Sequence, residues 1–229
     1  MRALADSSLP EGIRFVNQVF WYERVGALRN RPCVFLDRDG VVVEEVNYLH
    51  RREDVHLVPG IKELILTARE LNYAVGLVTN QSGIARGYYD WIAFENIQRE
   101  IADLLCCGAD PFDFIAACGT HPEATIEALR VPAHSWRKPM PGMLLAAAAC
   151  LELNLAESFM IGDQFSDVRA ADMAAVGHIC HVATGHGGKD RAAVANYRLE
   201  SSGALHLIKA LDEILPRLSP RNRINDSLL

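Results

Sequence analysis

The stretch Cys33-Val34-Phe35-Leu36-Asp37-Arg38-Asp39-Gly40 decides the reading of this chain: four apolar residues run without a break into two aspartates separated by one residue, then a glycine. A short apolar run closed by turn residues is the pattern of a strand buried on both faces of a parallel sheet. Side chains at i and i+2 of an extended segment point the same way. Asp37 and Asp39 are therefore expected to face one site at the carboxyl end of the strand, with Arg38 pointing elsewhere. Ligands of open parallel sheets sit at that edge. Taken alone, the stretch also fits a solvated turn, since Asp and Gly are ordinary turn residues.

Working outward, Ala74–Val78, Phe112–Ala117, Phe159–Ile161 and His178–Ala183 read as further buried strands. Between them lie helical periods. Ile61, Leu64, Ile65, Ala68 and Leu71 form one apolar stripe, and Phe94, Ile97, Ile101 and Leu104 form another after Asp90, a residue suited to cap a helix. A last helix is expected from Leu207 or Ile208 through Leu211 and Ile214, stopped by Pro216. Strands alternating with helices predict an α/β fold, a doubly wound and mostly parallel sheet with helices on both faces. Residues 1–31 form an extension expected to pack on the core, because Phe15, Phe20, Trp21 and Tyr22 are too many aromatics for a free tail. Residues 32–216 form the main domain, and 217–229 read as a polar, mobile tail.

The chain has 229 residues, of which half are hydrophobic and 23% charged, which excludes a disordered protein and suits one core. Its 23 Lys+Arg against 29 Asp+Glu leave a net charge of −6, which argues against nucleic acid or an anionic membrane as partner. Any anionic ligand must be held by a local site. The six cysteines lack the spacing of a disulfide framework, so reduced thiols and a cytoplasmic location are expected. The first residues carry no apolar signal segment, and the most apolar stretch is broken by Glu152 and Asn154, so no membrane span is expected. A monomer is expected.

Three more strand ends carry chemistry. Thr79, Asn80 and Ser82, followed by Gly83, offer hydroxyls and backbone N–H groups to phosphate oxygens. Arg137 and Lys138 precede two prolines that stiffen the approach to a helix. Asp163 ends another strand, with Asp167 at the start of the next helix. A hydroxyl, a fixed cation and several carboxylates at separate strand ends are what a phosphoryl group plus a divalent cation requires.

In this order the four blocks resemble the four motifs of the haloacid dehalogenase (HAD) superfamily. Residues 47–50, 82–87 and 141–143 are most similar to the D-glycero-D-manno-heptose 1,7-bisphosphate 7-phosphatases and the related histidinol-phosphate phosphatases, over about residues 32–185. The resemblance implies a HAD-like, Rossmannoid fold and a Mg²⁺-dependent phosphatase acting on a small phosphorylated sugar. It makes Asp37 the nucleophile that becomes an aspartyl phosphate and Asp39 the general acid and base. Mg²⁺ would be held by the Asp37 and Asp163 carboxylates and the Asp39 carbonyl, with Asp167 behind them. Thr79, Asn80, Arg137 and Lys138 would bind substrate. Histidinol phosphate or another sugar phosphate remains an alternative substrate. A non-catalytic sugar-phosphate-binding module is a further alternative, opposed by the joint presence of Asp37, Asp39, Lys138 and Asp163.

Segment lengths bear on the lid. Asp39 to Leu57 suffices for a hairpin flap and no later segment for an inserted domain, so no large cap is expected. Substrate choice then falls to the flap around Tyr48 and His50, to residues 84–90 and to the 118–137 loop. In the resembled heptose phosphatases this last loop usually binds structural zinc. The matching positions here read Cys118, Thr120, His134 and Trp136, with His121 as a stand-in, and four N or S ligands are not available. Structural zinc is not expected, and packing around Trp136 is expected to hold the loop. Val41, Val43 and Gln164 stand where the family commonly has Thr, Asn and Lys, which removes polar contacts and one charge near the phosphate. His178, His181 and His186 are expected to serve structure or loop solvation.

Overall fold

The computed structural model describes residues 13–16, 19–24, 30–105 and 110–218. Strands β1 (Ile13–Val16) and β2 (Val19–Glu23) precede β3 (Cys33–Leu36). Helix α1 (Ile61–Glu70), strand β4 (Ala74–Asn80), the short α2 (Ser82–Ala85) and α3 (Trp91–Leu105) follow. Next come β5 (Phe114–Cys118), α4 (Gly142–Leu151), β6 (Phe159–Gly162), α5 (Phe165–Met173), β7 (His178–His181), α6 (Gly187–Ala195) and β8 (Ala204–Leu207). The expectations for residues 1–12, the Phe15 ring, Cys106, Cys107 and the chain beyond Leu218 lie outside the described residues.

The eight strands form one sheet in the order β1-β2-β5-β4-β3-β6-β7-β8. From β5 to β8 all neighbours are parallel, while β1 and β2 add antiparallel at one edge. The chain walks outward from β3 through β4 to β5, then crosses to β6 and walks the other way. That reversal beside β3 creates the crevice in which ligands of such sheets bind. It also sets the ends of β3 and β6 side by side, with Leu36 paired to Ile161 and the Asp37 N–H donating to the Ile161 carbonyl at 3.0 Å.

Alternation along each strand splits the core in two. Val34, Leu36, Val75 and Leu77 pack with α1 and α3 residues such as Leu64, Phe94 and Ile97 on one face. Cys33, Phe35, Ala74 and Val78 pack with Met143, Leu144 and Val168 of α4 and α5 on the other. The Asp90 side chain caps α3 as expected, accepting from the Ala93 N–H at 2.9 Å. Among the described residues no helix is long and apolar enough to cross a membrane.

Two elements differ from expectation. The aromatic stretch before β3 supplies strands, with Phe20 and Trp21 buried on opposite faces because β2 is covered on both sides. The α-helix expected from Leu207 or Ile208 is instead a 3-10 helix over Leu211–Arg217, preceded by strand β8, which ends at Leu207 and runs parallel to β7. The apolar period still has its burial: Ile208, Leu211 and Ile214 all enter the core. The rise per residue of the 3-10 form, and the run through Pro216, distinguish it from the α-helix expected.

Candidate active site

Past Leu36 the chain leaves the strand and turns sharply, with the Arg38 carbonyl accepting from the Val42 and Val43 N–H groups at 2.9 and 3.0 Å. The i, i+2 rule therefore ends at Asp37. Arg38 does not point away: its buried guanidinium doubles back onto Asp39, donating Nε and Nη2 to Oδ1 at 3.0 and 2.8 Å. Asp39 Oδ2 also accepts from Gln81 Nε2 at 3.0 Å.

Asp37 lines the same cavity as Asp39 and sits in a buried charge cluster. The Lys138 ammonium, 3% exposed, reaches Asp37 Oδ1 at 2.9 Å and Asp167 Oδ1 at 2.6 Å, and donates to the Val78 carbonyl at 2.9 Å. Three oxygens thus lie within 3 Å of the ammonium nitrogen. Burial alone would lower the Lys138 pKa, but Asp167 and Asp37 outweigh it and hold the group charged. Asn80 lines the cavity and also fixes this loop: its amide donates to the Lys138 carbonyl at 2.9 Å and accepts the Lys138 N–H at 3.1 Å.

Carboxylates of Asp37, Asp163 and Asp167 each offer an oxygen within 4.8 Å of the others. One lysine cannot neutralise three. Burial pushes Asp37 up to about 7, with Asp167 and Asp39 adding to the rise. Asp163 is pushed up to about 8 by burial, Asp37 and Asp167. Asp167 has both oxygens engaged, Oδ1 by Lys138 and Oδ2 by the Gln164 N–H at 2.9 Å, as part of the cap of α5. Asp163 Oδ2 accepts the His186 N–H at 2.6 Å, while its buried Oδ1 has no partner. Gly40 and Gly185, both left-handed, frame Asp163; a methyl on either would lie within 2.5 Å of Oδ2. An orphaned carboxylate oxygen in an over-negative, oxygen-only cluster fits a hard divalent cation.

A cavity of about 220 Å³ opens over these groups, bounded by Asp37, Asp39, Thr79, Gln81, Lys138 and the flap residue Tyr48. Sequence reasoning missed three of its residues. Gln81 lies between Asn80 and Ser82, but its reach across to Asp39 depends on how β3 and β4 end. His186 reaches the cavity because its backbone grips Asp163. Glu45 enters from the flap, pushed up to about 7 by burial and Asp39. Arg137, expected to touch substrate, stands outside the cavity wall and donates to the Thr120 carbonyl at 2.8 Å.

The HAD-hydrolase-like family model matches residues 135–201, the span that carries Lys138, Asp163 and Asp167. A D-glycero-beta-D-manno-heptose-1,7-bisphosphate 7-phosphatase of Mesorhizobium japonicum is 38% identical over 157 residues, covering 67% of this chain and 72% of that one. The D-glycero-D-manno-heptose-1,7-bisphosphate 7-phosphatase of Thermosynechococcus vestitus is 36% identical over 83% of this chain and 99% of its own. This chain belongs to the HAD-like hydrolases. Among solved HAD-like structures, one from Mesorhizobium loti superposes with a TM-score of 0.77 at 30% identity, over 91% of this chain and 98% of that one. The D,D-heptose 1,7-bisphosphate phosphatase of B. bronchiseptica, complexed with magnesium and phosphate, gives 0.65 at 26% identity over 82% and 97%.

Departures from the HAD-like pattern acquire physical reasons. Val41 and Val43 are fully buried in the core and do not line the cavity, so they take no contact from a phosphate. Gln164 does line it, and its backbone starts α5, donating to Asp167 Oδ2 at 2.9 Å and accepting the Asp167 N–H at 3.1 Å. In the 118–137 loop, Cys118 Sγ lies 3.2 Å from Thr120 Oγ1 and 3.9 Å from His134 Nδ1, which accepts the Trp136 N–H at 3.1 Å. The Trp136 ring meets Trp21 edge-on at 6.0 Å.

Proposed function

We propose that this HAD-like hydrolase is a Mg²⁺-dependent, cytoplasmic and monomeric phosphatase of a small phosphorylated sugar, the heptose 1,7-bisphosphate of its relatives, cleaved at the 7-phosphate. The catalytic unit in this reading is residues 32–216, with residues 1–31 as an extension on its sheet. The observation that carries it is the convergence of Asp37, Lys138 and Asp163 beside a cavity walled by Asp39 and Thr79.

In this mechanism Asp37 attacks phosphorus while the bond to the sugar oxygen breaks, and Asp39 delivers its proton to the departing alkoxide. Asp39, now a carboxylate, takes a proton from the water that attacks the aspartyl phosphate, releasing inorganic phosphate and restoring Asp37. Lys138 holds the Asp37 oxygen that does not attack, and the Thr79 hydroxyl donates to the transferring group. Mg²⁺, held by Asp37, Asp163 and the Asp39 backbone, would supply positive charge that offsets repulsion between the nucleophile and the phosphate.

The test is phosphate release by chelator-washed protein, with and without added Mg²⁺, on heptose 1,7-bisphosphate and on histidinol phosphate. Mg²⁺-dependent turnover with higher kcat/KM on the heptose is expected. Negligible heptose turnover would overturn the substrate assignment, and activity untouched by chelation would overturn the metal.

A further inference from the structure

We propose that Tyr89 is a positioning residue for this reaction, its hydroxyl anchoring the Gln81 amide and, through it, the placement of Asp39 and the direction of the Thr79 proton. The inference rests on the roles given above to Asp39 and Thr79. Tyr89 Oη lies 2.6 Å from Gln81 Oε1. Gln81 Nε2 lies 3.0 Å from Asp39 Oδ2 and 2.8 Å from Thr79 Oγ1. A carboxamide accepts at one end and donates twice at the other, so its orientation is decided by whichever neighbour has only one option.

That neighbour is Asp39, whose carboxylate oxygens only accept and so draw Nε2 to themselves. The Tyr89 hydroxyl then donates to the Oε1 turned toward it and locks the amide in that setting. With Oε1 committed, both Nε2 hydrogens fall on Asp39 and Thr79. A reversed amide would set its carbonyl oxygen against an Asp39 oxygen. Thr79 Oγ1 is thereby an acceptor from Gln81, and its own proton is released to donate into the cavity, where the phosphoryl group is held in this mechanism. The phenol thus acts two bonds away from the chemistry.

The ring itself is held independently of its hydroxyl. It stacks on the flap residue His50 at 6.0 Å with an interplanar angle of 4°. It also lies over Gly83, where an added methyl would sit 2.2 Å from the ring. Tyr89→Phe therefore removes the hydroxyl and leaves the packing.

The experiment compares two esters: an alkyl phosphate such as the sugar phosphate, whose alkoxide needs a proton to depart, and p-nitrophenyl phosphate, whose phenolate does not. Tyr89→Phe is expected to lower kcat/KM, which reports only the steps up to the aspartyl phosphate, about tenfold on the alkyl ester and less than about threefold on the aryl ester. In a Gln81→Leu background the same substitution should cost nothing further, since the intermediary is gone. Equal losses on both esters, or additive losses in the double variant, would overturn the positioning role while the wild type still turns over both esters. A wild type inactive on both esters would instead remove the phosphatase reading itself, and this inference with it.

Discussion

Asp163 and Asp172 are both buried carboxylates at opposite ends of α5, and they are opposites in chemistry. Asp172, in the last turn of α5, accepts from the Tyr197 hydroxyl and the Glu200 and Ser201 N–H groups, each at 2.9 Å. Burial pushes its pKa up, but these donors outweigh it and hold the carboxyl below the usual range. Asp163 keeps an oxygen without a donor, and its pKa is pushed up to about 8. Burial is common to the two. The supply of donors separates a carboxylate that ties the fold together from one left wanting a cation.

The contrast is sharpened most by striking the acidic cluster at Asp37, the nucleophile of the proposed mechanism. Asp37→Asn should lower kcat at least about a thousandfold with the fold intact by circular dichroism, and activity within tenfold of wild type would end the covalent route. Asp163→Asn comes next. The Mg²⁺ concentration for half-maximal activity should rise at least about tenfold, while the chelated variant melts no lower than wild type, since an uncompensated buried charge has been removed. Asp172→Asn should do the reverse, costing about 1–3 kcal/mol in denaturant unfolding with kcat unchanged. A loss of activity at unchanged stability there would break the comparison.

The smallest effect is in pH. In chelated protein the folded state holds protons on Asp37 and Asp163 that the unfolded chain gives up near about pH 4. Their contribution to stability therefore falls as pH rises from about 4 toward about 8. The Asp172 contribution runs oppositely: it is present above the ordinary carboxylate range and lost as pH falls through its lowered value. Added Mg²⁺ should accordingly raise the melting temperature more at pH 8 than at pH 5. An equal shift at both would mean that the cation does not bind these carboxylates.

Much of this was legible in the sequence because it is written in local pattern. The runs Cys33–Leu36, Ala74–Val78 and Phe159–Ile161 are strands because nothing polar interrupts them, and residues placed directly at their ends, Asp37 and Asp163, meet in the structure. What escaped depends on the path after a strand ends. Arg38 returns to Asp39 because the chain turns at Gly40, and Asn80 serves the Lys138 backbone because β4 runs two residues longer than its apolar core. Strand β8 is exposed or half-exposed throughout and carries no apolar run, so only its pairing with β7 reveals it.

Lys138 has one more implication, for the order in which the molecule can be made. Its ammonium is bonded to groups after β3, within β4 and inside α5, and it arrives on a loop beyond β5. A growing polypeptide that has emerged only as far as β5 contains Asp37 but not the lysine that pairs with it. Until translation has passed α5, the aspartate at the end of the first parallel strand has no reason to leave water, and no shorter fragment should show even residual turnover.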